Sequence, residues 1–280
     1  MRHEFPAMGT FVEAILEHGD DPEPVTALFE EFEQRCSRFR ADSELSRVNA
    51  LAGVPVIVSA ELARLLTAAA DLRRRTGGLV DPGVGGTVAA WGYDRTFVRV
   101  TDRATPPDPA PDPEWMLDGR TLLASPTTRL DLGGLAKGWT ADLAVEAGHV
   151  LVVSAGGDVR SGVDEAEVDV IDPWGGVAAV VSLGRRGLAT SSVTRRRWEV
   201  GGRDAHHLID PRTGAPAHTP VLSATVVAAT ALEAEAGAKA VLLRGGDGLA
   251  WAADQPWIHG ALVVWFDGSV FATRGLEVAA

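Results

Sequence analysis

The amino-acid sequence predicts an α+β fold in which mixed or antiparallel sheets pack against helices. Three observations indicate this class: one long segment has helical hydrophobic periodicity, several short apolar segments are joined by tight turns, and an alanine-rich helical segment follows a strand. Strands that are joined by tight turns pair antiparallel, whereas parallel strands need long crossover connections. A doubly wound parallel sheet is therefore disfavoured.

The first part of the chain is predicted to contain one strand and two helices. Thr10–Glu17 (TFVEAILE) is apolar and β-branched enough to form a strand. Between Pro22 and Arg40 the apolar residues recur every three or four positions, which is typical of an amphipathic helix, and the single cysteine, Cys36, falls on its apolar side. We therefore expect a buried thiol. Ser59 is a suitable N-cap for a helix over Ala60–Thr76.

The segment Thr101–Glu114 (TDRATPPDPAPDPE) is rich in proline. Proline donates no backbone hydrogen bond to a sheet and cannot continue a helix. We interpret this segment as a surface loop or short linker within a single domain that covers residues 1–280.

The second part of the chain is predicted to alternate helices with strands and hairpins. The predicted elements are a short helix over Thr140–Gly148, a buried strand over Val150–Ser154, a hairpin of Val168–Ile171 and Val177–Leu183, a strand over Val221–Ala228, an alanine-rich helix over Ala231–Leu243, and a terminal hairpin of Ala261–Phe266 and Val270–Thr273.

Composition and charge exclude several classes of protein. The chain is 46% hydrophobic and 23% charged, which is ordinary for a globular protein and disfavours a disordered or fibrous one. Its net charge of −12 is opposite in sign to that of a typical nucleic-acid binder, although an anionic ligand can still bind where positive charge is gathered locally. The sequence contains no signal-peptide pattern and no long uncharged apolar stretch. We expect a cytoplasmic protein without a nucleic-acid partner or a membrane span.

Two glycine-containing segments have residues suited to a phosphate-bearing ligand. Asp131–Trp139 (DLGGLAKGW) combines flexible backbone with the charge of Lys137, so it can hold a phosphate at the start of the next helix, but it lacks the Walker A pattern. Ser154–Asp158 (SAGGD) follows the predicted buried strand, where ligands often bind. From spacing alone, the alternative for the first segment is a glycine-rich turn with a solvated lysine, and the alternative for the second is a tight turn capped by Asp158.

Two adjacent histidines precede an Asp-Pro-Arg-Thr-Gly turn in the segment His206–Gly214 (HHLIDPRTG). Their spacing does not fit a helical zinc site, where ligands lie four residues apart. If the segment is extended, His207 and Ile209 share one face. A histidine there is a candidate proton shuttle or phosphate contact, because its pKa lies near neutrality. A purely structural histidine is the alternative.

Leu188–Ser192 (LATSS) and Arg195–Arg197 complete the set of unusual polar segments. Serial hydroxyls can bind a ligand or cap a local helix. The arginine run is usually a solvated surface, but it can also offset the overall acidity near an anionic ligand.

Taken in order along the chain, these segments resemble the motifs of the ApbE family of FAD:protein FMN transferases. The matching segments are Met8-Gly9-Thr10 (MGT), Phe39–Asn49 (FRADSELSRVN, against YRPDSELSRLN), Gly78–Gly85 with Trp91–Tyr93 (against GAFDPTVGPLVNLWGF), Asp131–Gly138 (against DLGAIAKG), Gly156–Asp158 (GGD), Ala189–Ser191 (ATS) and His207–Pro216 (HLIDPRTGAP, against HIIDPRTGYP). No single motif is decisive, but the ordered set is specific and spans nearly the whole chain.

The resemblance implies a T-fold-like single globular unit with a cleft for FAD. It also implies transfer of FMN from FAD to a threonine hydroxyl of an acceptor flavoprotein that carries a flavinylation motif, with release of AMP. His207 matches the catalytic histidine of the family. The positions that would contact FAD by this resemblance are Met8, Phe39, Leu79, Val80, Asp81, Asp131, Lys137 and Ile209.

The resemblance also implies Mg²⁺, and here the sequence departs from the family. The family ligands are a backbone carbonyl, which matches Gly134, and a carboxylate and a hydroxyl on a late helix. The carboxylate position is Glu235, one methylene longer than aspartate, and the hydroxyl position is Lys239. Lysine has no lone pair to give while it is protonated. Glu235 and Lys239 therefore either form an ordinary i,i+4 pair or place the lysine ammonium where the metal ion would be.

We accordingly take His207, Glu235 and Lys239 as candidate catalytic residues, and Gly134 and Glu235 as candidate metal ligands. A smaller departure is Ser192, which replaces a glycine of the family's ATSG motif. The changed metal positions leave two alternatives to a transferase: a FAD-binding homologue without transferase activity, and a FAD pyrophosphatase that produces FMN and AMP.

Overall fold

The computed structural model describes residues 1–108 and 112–278. Contacts divide the described chain into two compact units. Unit 1 consists of Met1–Glu31, Leu135–Ser192 and the C-terminal segment from Thr219 onward. Unit 2 consists of the described residues of Phe32–Gly134 together with Val193–His218. The prediction of one domain over residues 1–280 stays a prediction.

The strands are β1 (Arg2–Ala7), β2 (Thr10–Ile15), β3 (Val56–Ile57), β4 (Trp115–Asp118), β5 (Thr121–Ala124), β6 (Val152–Ala155), β7 (Asp158–Ser161), β8 (Glu167–Ile171), β9 (Val177–Ser182), β10 (Gly187–Ser192), β11 (Arg197–Val200), β12 (Arg203–His206), β13 (Ile209–Asp210), β14 (Ala215–Pro216), β15 (Val221–Ala228), β16 (Ile258–Trp265) and β17 (Val270–Ala272). The α-helices are α1 (Glu23–Cys36), α2 (Glu44–Ala50), α3 (Ala60–Arg75), α4 (Gly85–Ala90), α5 (Ala136–Glu146), α6 (Ala231–Arg244) and α7 (Gly248–Ala253). Short 3₁₀ helices cover Phe97–Arg99 and Gly245–Asp247.

Unit 1 is built on an eight-stranded sheet with the strand order β1-β2-β6-β7-β10-β15-β16-β17. Every neighbouring pair in this sheet is antiparallel. Successive residues of a strand point to opposite faces. In β10, Leu188 packs in a cluster with Val181 of the β8–β9 hairpin, whereas Ala189 packs with Ala234 of α6. The sheet therefore lies between this hairpin on one face and helix α6 on the other.

Helices α1 and α5 help to form the core near the other end of the sheet. Val12, Ala14, Val153 and Ala155 alternate along β2 and β6, and they form one buried cluster with Phe29 of α1 and with small residues of α5. Apolar area removed from water here is the main stabilising contribution to the unit.

Unit 2 combines a three-stranded sheet, in the order β3-β5-β4, with helices α2, α3 and α4 and the hairpins β11–β12 and β13–β14. The Ser59 hydroxyl accepts a hydrogen bond from Leu62 N at 3.2 Å, so the predicted N-cap of α3 is confirmed. One buried cluster joins Val88, Tyr93, Trp198 and Ile209. Cys36 is buried, as predicted, and burial raises the pKa of its thiol to about 12.

Mixed helices and antiparallel sheets confirm the predicted α+β class, with differences at element ends. Helix α1 ends at Cys36 and does not reach Arg40. Helix α5 begins at Ala136, four residues before the predicted start, so Lys137 lies in its first turn. Both hairpins predicted in the second part of the chain are present.

The proline-rich segment is only partly within the described chain, because residues 109–111 lie outside it. Its beginning is paired with β11: Arg103 N donates to Glu199 O, and Gly201 N donates to Arg103 O, both at 2.8 Å. The interpretation as a loop fits the rest of the described part, but a plain linker does not explain this pairing. No helix in the described ranges is long and apolar enough to cross a membrane.

Candidate functional site

Unit 1 contains a cluster of two lysines and two carboxylates, which we call the acid–lysine cluster: Lys137, Asp158, Glu235 and Lys239. Lys137 Nζ lies 3.0 Å from Asp158 Oδ2 and 3.0 Å from Glu235 Oε1. Lys239 Nζ lies 3.1 Å from the same Glu235 oxygen. One carboxylate oxygen is therefore shared by two ammonium groups.

The elements that carry this cluster are held close together by backbone contacts. A Cβ at Gly138 of α5 would lie 2.9 Å from backbone atoms of Ala231, so only glycine allows this approach to the start of α6. The buried Asp142 carboxylate accepts hydrogen bonds from Ala231 N at 2.7 Å and Leu232 N at 3.0 Å. These contacts fix the first turn of α6 against α5, and Glu235 and Lys239 follow one turn apart on α6.

Burial strengthens the electrostatic coupling within the cluster. The side chains of Asp158 and Glu235 are only 6% and 4% exposed, and those of Lys137 and Lys239 are 13% and 17% exposed. Burial alone lowers the pKa of Lys137, but the Asp158 and Glu235 charges outweigh it and raise that pKa above its usual range. Burial and the Glu235 charge raise the pKa of Asp158, whereas for Glu235 the two ammonium groups outweigh burial and lower the pKa. Lys137 and Glu235 are therefore both ionised at neutral pH.

The acid–lysine cluster does not fit a Mg²⁺ ion. Within residues 1–108 and 112–278, no group of three or more His, Cys, Asp or Glu side chains is arranged to hold a metal. At an effective dielectric of about 20, a divalent ion about 4 Å from one ammonium group is repelled by about 8 kcal/mol. Mg²⁺ prefers a set of oxygen ligands, and here two ammonium groups already occupy one oxygen of Glu235. The chemistry of the cluster argues against Mg²⁺ at Glu235, and the assignment of Gly134 and Glu235 as metal ligands stays a prediction.

Unit 2 contains an aromatic surface that we call the Phe39 platform: Phe39, Arg38 and Tyr93. The Arg38 guanidinium carbon lies 4.1 Å from the Phe39 ring centroid and 4.9 Å from that of Tyr93, which is cation–π geometry. The two ring centroids are 5.4 Å apart. Tyr93 is buried, whereas Phe39 remains 37% exposed.

Charged side chains position the platform. Arg38 Nε donates to Asp131 Oδ2 at 2.7 Å, and Gly133 N donates to Asp131 Oδ1 at 2.8 Å. Arg196 Nη1 donates to the Tyr93 hydroxyl at 3.2 Å. Asp131, predicted to contact FAD, thus links the glycine-rich loop to Arg38 and through it to Phe39.

Asp81 is held by contacts inside unit 2. Its Oδ2 lies 2.6 Å from Arg73 Nε, and its Oδ1 accepts from Trp115 Nε1 at 2.8 Å and from Gly83 N at 2.7 Å. Its side chain is almost fully buried. These contacts explain why an aspartate suits this position without any ligand.

The two adjacent histidines differ in their surroundings. His206 is buried at the end of β12, and its Nε2 donates to Ala217 O at 3.0 Å while its Nδ1 accepts from Leu208 N at 3.3 Å. This pattern describes a neutral ring, and burial lowers the pKa of His206. His207 is half-buried between β12 and β13. The segment is not extended throughout, because His207 and Leu208 interrupt the two strands.

The remaining predicted positions are spread over both units. Met8 adopts φ 51° in the β1–β2 turn and packs on the core of unit 1. Leu79, Val80 and Ile209 are buried in unit 2. Gly134 lies in the turn before α5.

Four residues of these arrangements were not among the predicted site residues: Arg38, Tyr93, Asp158 and Arg196. Asp158 and Tyr93 lie inside motifs that the sequence analysis quoted. The motifs therefore identified the two segments, but they did not identify these two side chains as site residues. Arg196 lies in the basic run Arg195–Arg197 that the sequence analysis noted, whereas Arg38 gave no such signal. Ser192, by contrast, has a structural use, because its hydroxyl donates to Leu222 O at 3.0 Å.

Comparison with known proteins identifies the family. The ApbE family model matches residues 8–262. A FAD:protein FMN transferase of Treponema pallidum is 33% identical, over 91% of this chain and 79% of the relative, and one of Rhodobacter capsulatus is 34% identical, over 83% of this chain and 48% of the relative. The chain thus spans about half the length of the second protein.

Solved structures of the family have the same fold. The ApbE protein of Thermotoga maritima superposes with a TM-score of 0.86 at 25% identity, over 98% of this chain and 97% of the other. The flavin transferase ApbE from Vibrio cholerae gives a TM-score of 0.78 at 25% identity, over 99% and 96% of the two chains. The ordered motifs, the family match and the shared fold agree, and the chain belongs to the ApbE family.

Proposed function

We propose that this protein transfers FMN from FAD to a threonine hydroxyl of an acceptor flavoprotein and releases AMP. The observation that carries the proposal is its membership of a family whose relatives, over most of the chain, are named FAD:protein FMN transferase. We propose further that the enzyme acts in the cytoplasm and that its acceptor carries a threonine flavinylation motif.

The reaction is a phosphoryl-group transfer from a diphosphate. The threonine Oγ forms a bond to the phosphorus of the FMN half, and the bond from that phosphorus to the bridging oxygen breaks. AMP leaves with the bridging oxygen, and the threonine proton passes to a base. Such a reaction needs a proton acceptor for the hydroxyl and positive charge on the phosphate oxygens.

The two arrangements described above supply parts of this chemistry. The Phe39 platform offers one partly exposed aromatic ring, and aromatic rings stack on planar ligands such as a flavin. The acid–lysine cluster offers two ammonium groups, and cations favour a diphosphate and the charge that develops as its bond breaks. Each arrangement supports FAD as the substrate.

His207 is the proposed proton acceptor for the threonine hydroxyl. An imidazole is suited to this role because its ordinary pKa lies near neutral pH. Its neighbour His206 is less suited, because both of its ring nitrogens have partners inside unit 2.

The proposal is tested with purified protein, FAD and an acceptor that carries an Asp-Gly-x-Ser/Thr-Gly-Ala-Thr-type site. We expect a covalent FMN adduct, seen as in-gel flavin fluorescence and as a mass shift, together with one AMP per adduct. An acceptor whose threonine is replaced by valine is the matched control and should remain unlabelled. Free FMN with AMP would indicate a pyrophosphatase, and FAD binding without AMP would indicate a binding protein.

A further inference from the structure

We propose that the ammonium groups of Lys137 and Lys239 supply the positive charge that a divalent cation would otherwise provide. In this protein they bind the diphosphate of FAD directly, without a metal ion. This inference rests on the proposed function only in taking FAD as the ligand. It does not require that FMN be transferred.

Charge balance within the acid–lysine cluster is the first argument. Two carboxylates and two ammonium groups sum to zero, and Glu235 Oε1 is within 3.1 Å of both lysine nitrogens. A divalent ion bound here without a ligand would leave two positive charges without compensation in a mostly buried place. A diphosphate adds negative charge to the same neutral cluster, so its binding depends on direct hydrogen bonds from the ammonium groups and not on the net charge of the cluster.

The four side chains of the cluster differ in their exposure to solvent. The two carboxylates are 6% and 4% exposed, whereas Lys137 and Lys239 are 13% and 17% exposed. The lysine side chains are thus somewhat more exposed than the carboxylates, and we propose that the diphosphate approaches from the lysine side. Each ammonium group has three N–H donors, which suits it to share a carboxylate and a phosphate oxygen.

The position of the lysines is fixed by the fold. Lys137 lies in the first turn of α5, where the positive end of the helix dipole also favours an anion. Lys239 is one turn beyond Glu235 on α6, and the capping contact from Asp142 holds the start of that helix. Two cations are thus held at fixed positions before any ligand binds, which reduces the entropic cost of binding.

The second carboxylate oxygen of Glu235 could instead be a ligand of a metal ion. Glu235 Oε2 is buried and has no hydrogen-bond partner among the described residues. A metal ion at this oxygen is the alternative that must be tested. Mn²⁺ is a suitable probe, because it takes oxygen ligands like Mg²⁺ and its electron paramagnetic resonance signal reports binding.

The first experiment measures Mn²⁺ binding to the wild-type protein with and without saturating FAD. We expect no stoichiometric site in either case. The control is the double variant Glu235→Asp with Lys239→Thr, which offers a carboxylate and a hydroxyl and should bind one Mn²⁺ when FAD is present. One tight Mn²⁺ per wild-type chain, dependent on FAD, would overturn the proposal.

The second experiment measures affinity by flavin fluorescence in the presence of EDTA. We expect Lys239→Met to weaken FAD binding about tenfold or more, and Lys239→Arg to recover most of that loss. Riboflavin, which lacks the diphosphate, should bind wild type and Lys239→Met equally. Equal FAD affinities for wild type and Lys239→Met, or a wild-type affinity that EDTA removes, would contradict the inference.

These readouts are independent of turnover. If no acceptor is ever labelled but FAD binding needs Lys239 and no metal, the proposed function fails while this inference stands. If Lys239→Met does not fold, the Mn²⁺ measurement on the wild-type protein still decides the question.

Discussion

His207 is the residue on which the proposed proton transfer depends. We expect His207→Ala to bind FAD within about tenfold of wild type but to transfer FMN about 10²–10⁴ times more slowly, the usual effect of losing an acid–base group. Single-turnover kinetics with saturating FAD measures this. A comparable loss in His206→Ala with none in His207→Ala would show that the other imidazole is the base.

His206 should influence stability more than rate. Its folded-state pKa is lowered by burial from the ordinary value of 6.5. The neutral ring therefore contributes stability that is fully present above about pH 6.5 and is lost as pH falls through the folded pKa. We expect His206→Ala to lower the free energy of unfolding by about 1–3 kcal/mol at pH 7.5, because Ala217 O loses its donor.

Urea unfolding at pH 7.5 and pH 5.5 checks this prediction. The wild-type protein should lose more stability between these two pH values than His206→Ala does, since the variant has no ring to protonate. Equal losses in the two proteins would show that His206 does not set this pH dependence.

At the scale of elements, Asp142 joins helices α5 and α6. Its carboxylate accepts from the backbone of Ala231 and Leu232 and lies 3.2 Å from Arg160 Nε. Burial raises the pKa of Asp142 to about 7 in spite of these partners. The charged form of this carboxyl group is therefore destabilised by its surroundings. Its removal leaves two buried N–H groups and a mostly buried guanidinium without this acceptor.

We therefore expect Asp142→Ala to lower the free energy of unfolding by about 2–4 kcal/mol. Thermal or urea denaturation measures the change. Glu146→Ala, at an exposed position on the same helix, is the control and should change stability by less than about 0.5 kcal/mol. Equal effects of the two substitutions would contradict the capping role of Asp142.

Elements with strong local signals could be predicted from sequence, and those defined by distant contacts could not. Ser59 and the apolar periodicity before Cys36 act within a few residues, so α3 and most of α1 were predicted. Strand β1 (RHEFPA) carries charges and a proline, and it is possible only because an edge strand tolerates proline. Strand β10 (GLATSS) was interpreted as a run of hydroxyls, but it is central in the sheet.

In the candidate site, too, contacts between residues close in sequence could be predicted, and contacts between distant residues could not. The pairing of Glu235 with Lys239 follows from their i,i+4 spacing, which is why the sequence already raised it. The contact of Glu235 with Lys137 joins residues 98 positions apart, and Asp158 enters from a third element. Contacts of that kind depend on how α5 and α6 pack, and neither periodicity nor spacing specifies this packing.

At the scale of the whole molecule, the charge distribution opposes the ligand. The protein has a net charge of −12, and FAD is also an anion. Long-range repulsion therefore slows their encounter at low ionic strength, and binding must come from short-range contacts, such as those proposed for the ammonium groups of Lys137 and Lys239. The Debye length falls from about 14 Å to about 4 Å between 0.05 M and 0.5 M salt, so salt weakens the long-range repulsion and, to a smaller extent, the attraction to the mostly buried lysines.

The last prediction concerns how turnover responds to chelator and salt. If the two ammonium groups replace the cation, FMN transfer by the wild-type protein should change by less than about twofold when EDTA is added. Raising salt over the same range should change FAD binding but leave riboflavin binding unchanged, because only FAD carries a charged diphosphate that salt can screen. Glu235→Asp combined with Lys239→Thr provides oxygen ligands and should make transfer depend on Mg²⁺. Steady-state rates with EDTA or Mg²⁺ decide the matter: loss of wild-type transfer in EDTA, with recovery on adding Mg²⁺, would mean that a metal ion and not Lys239 carries the charge.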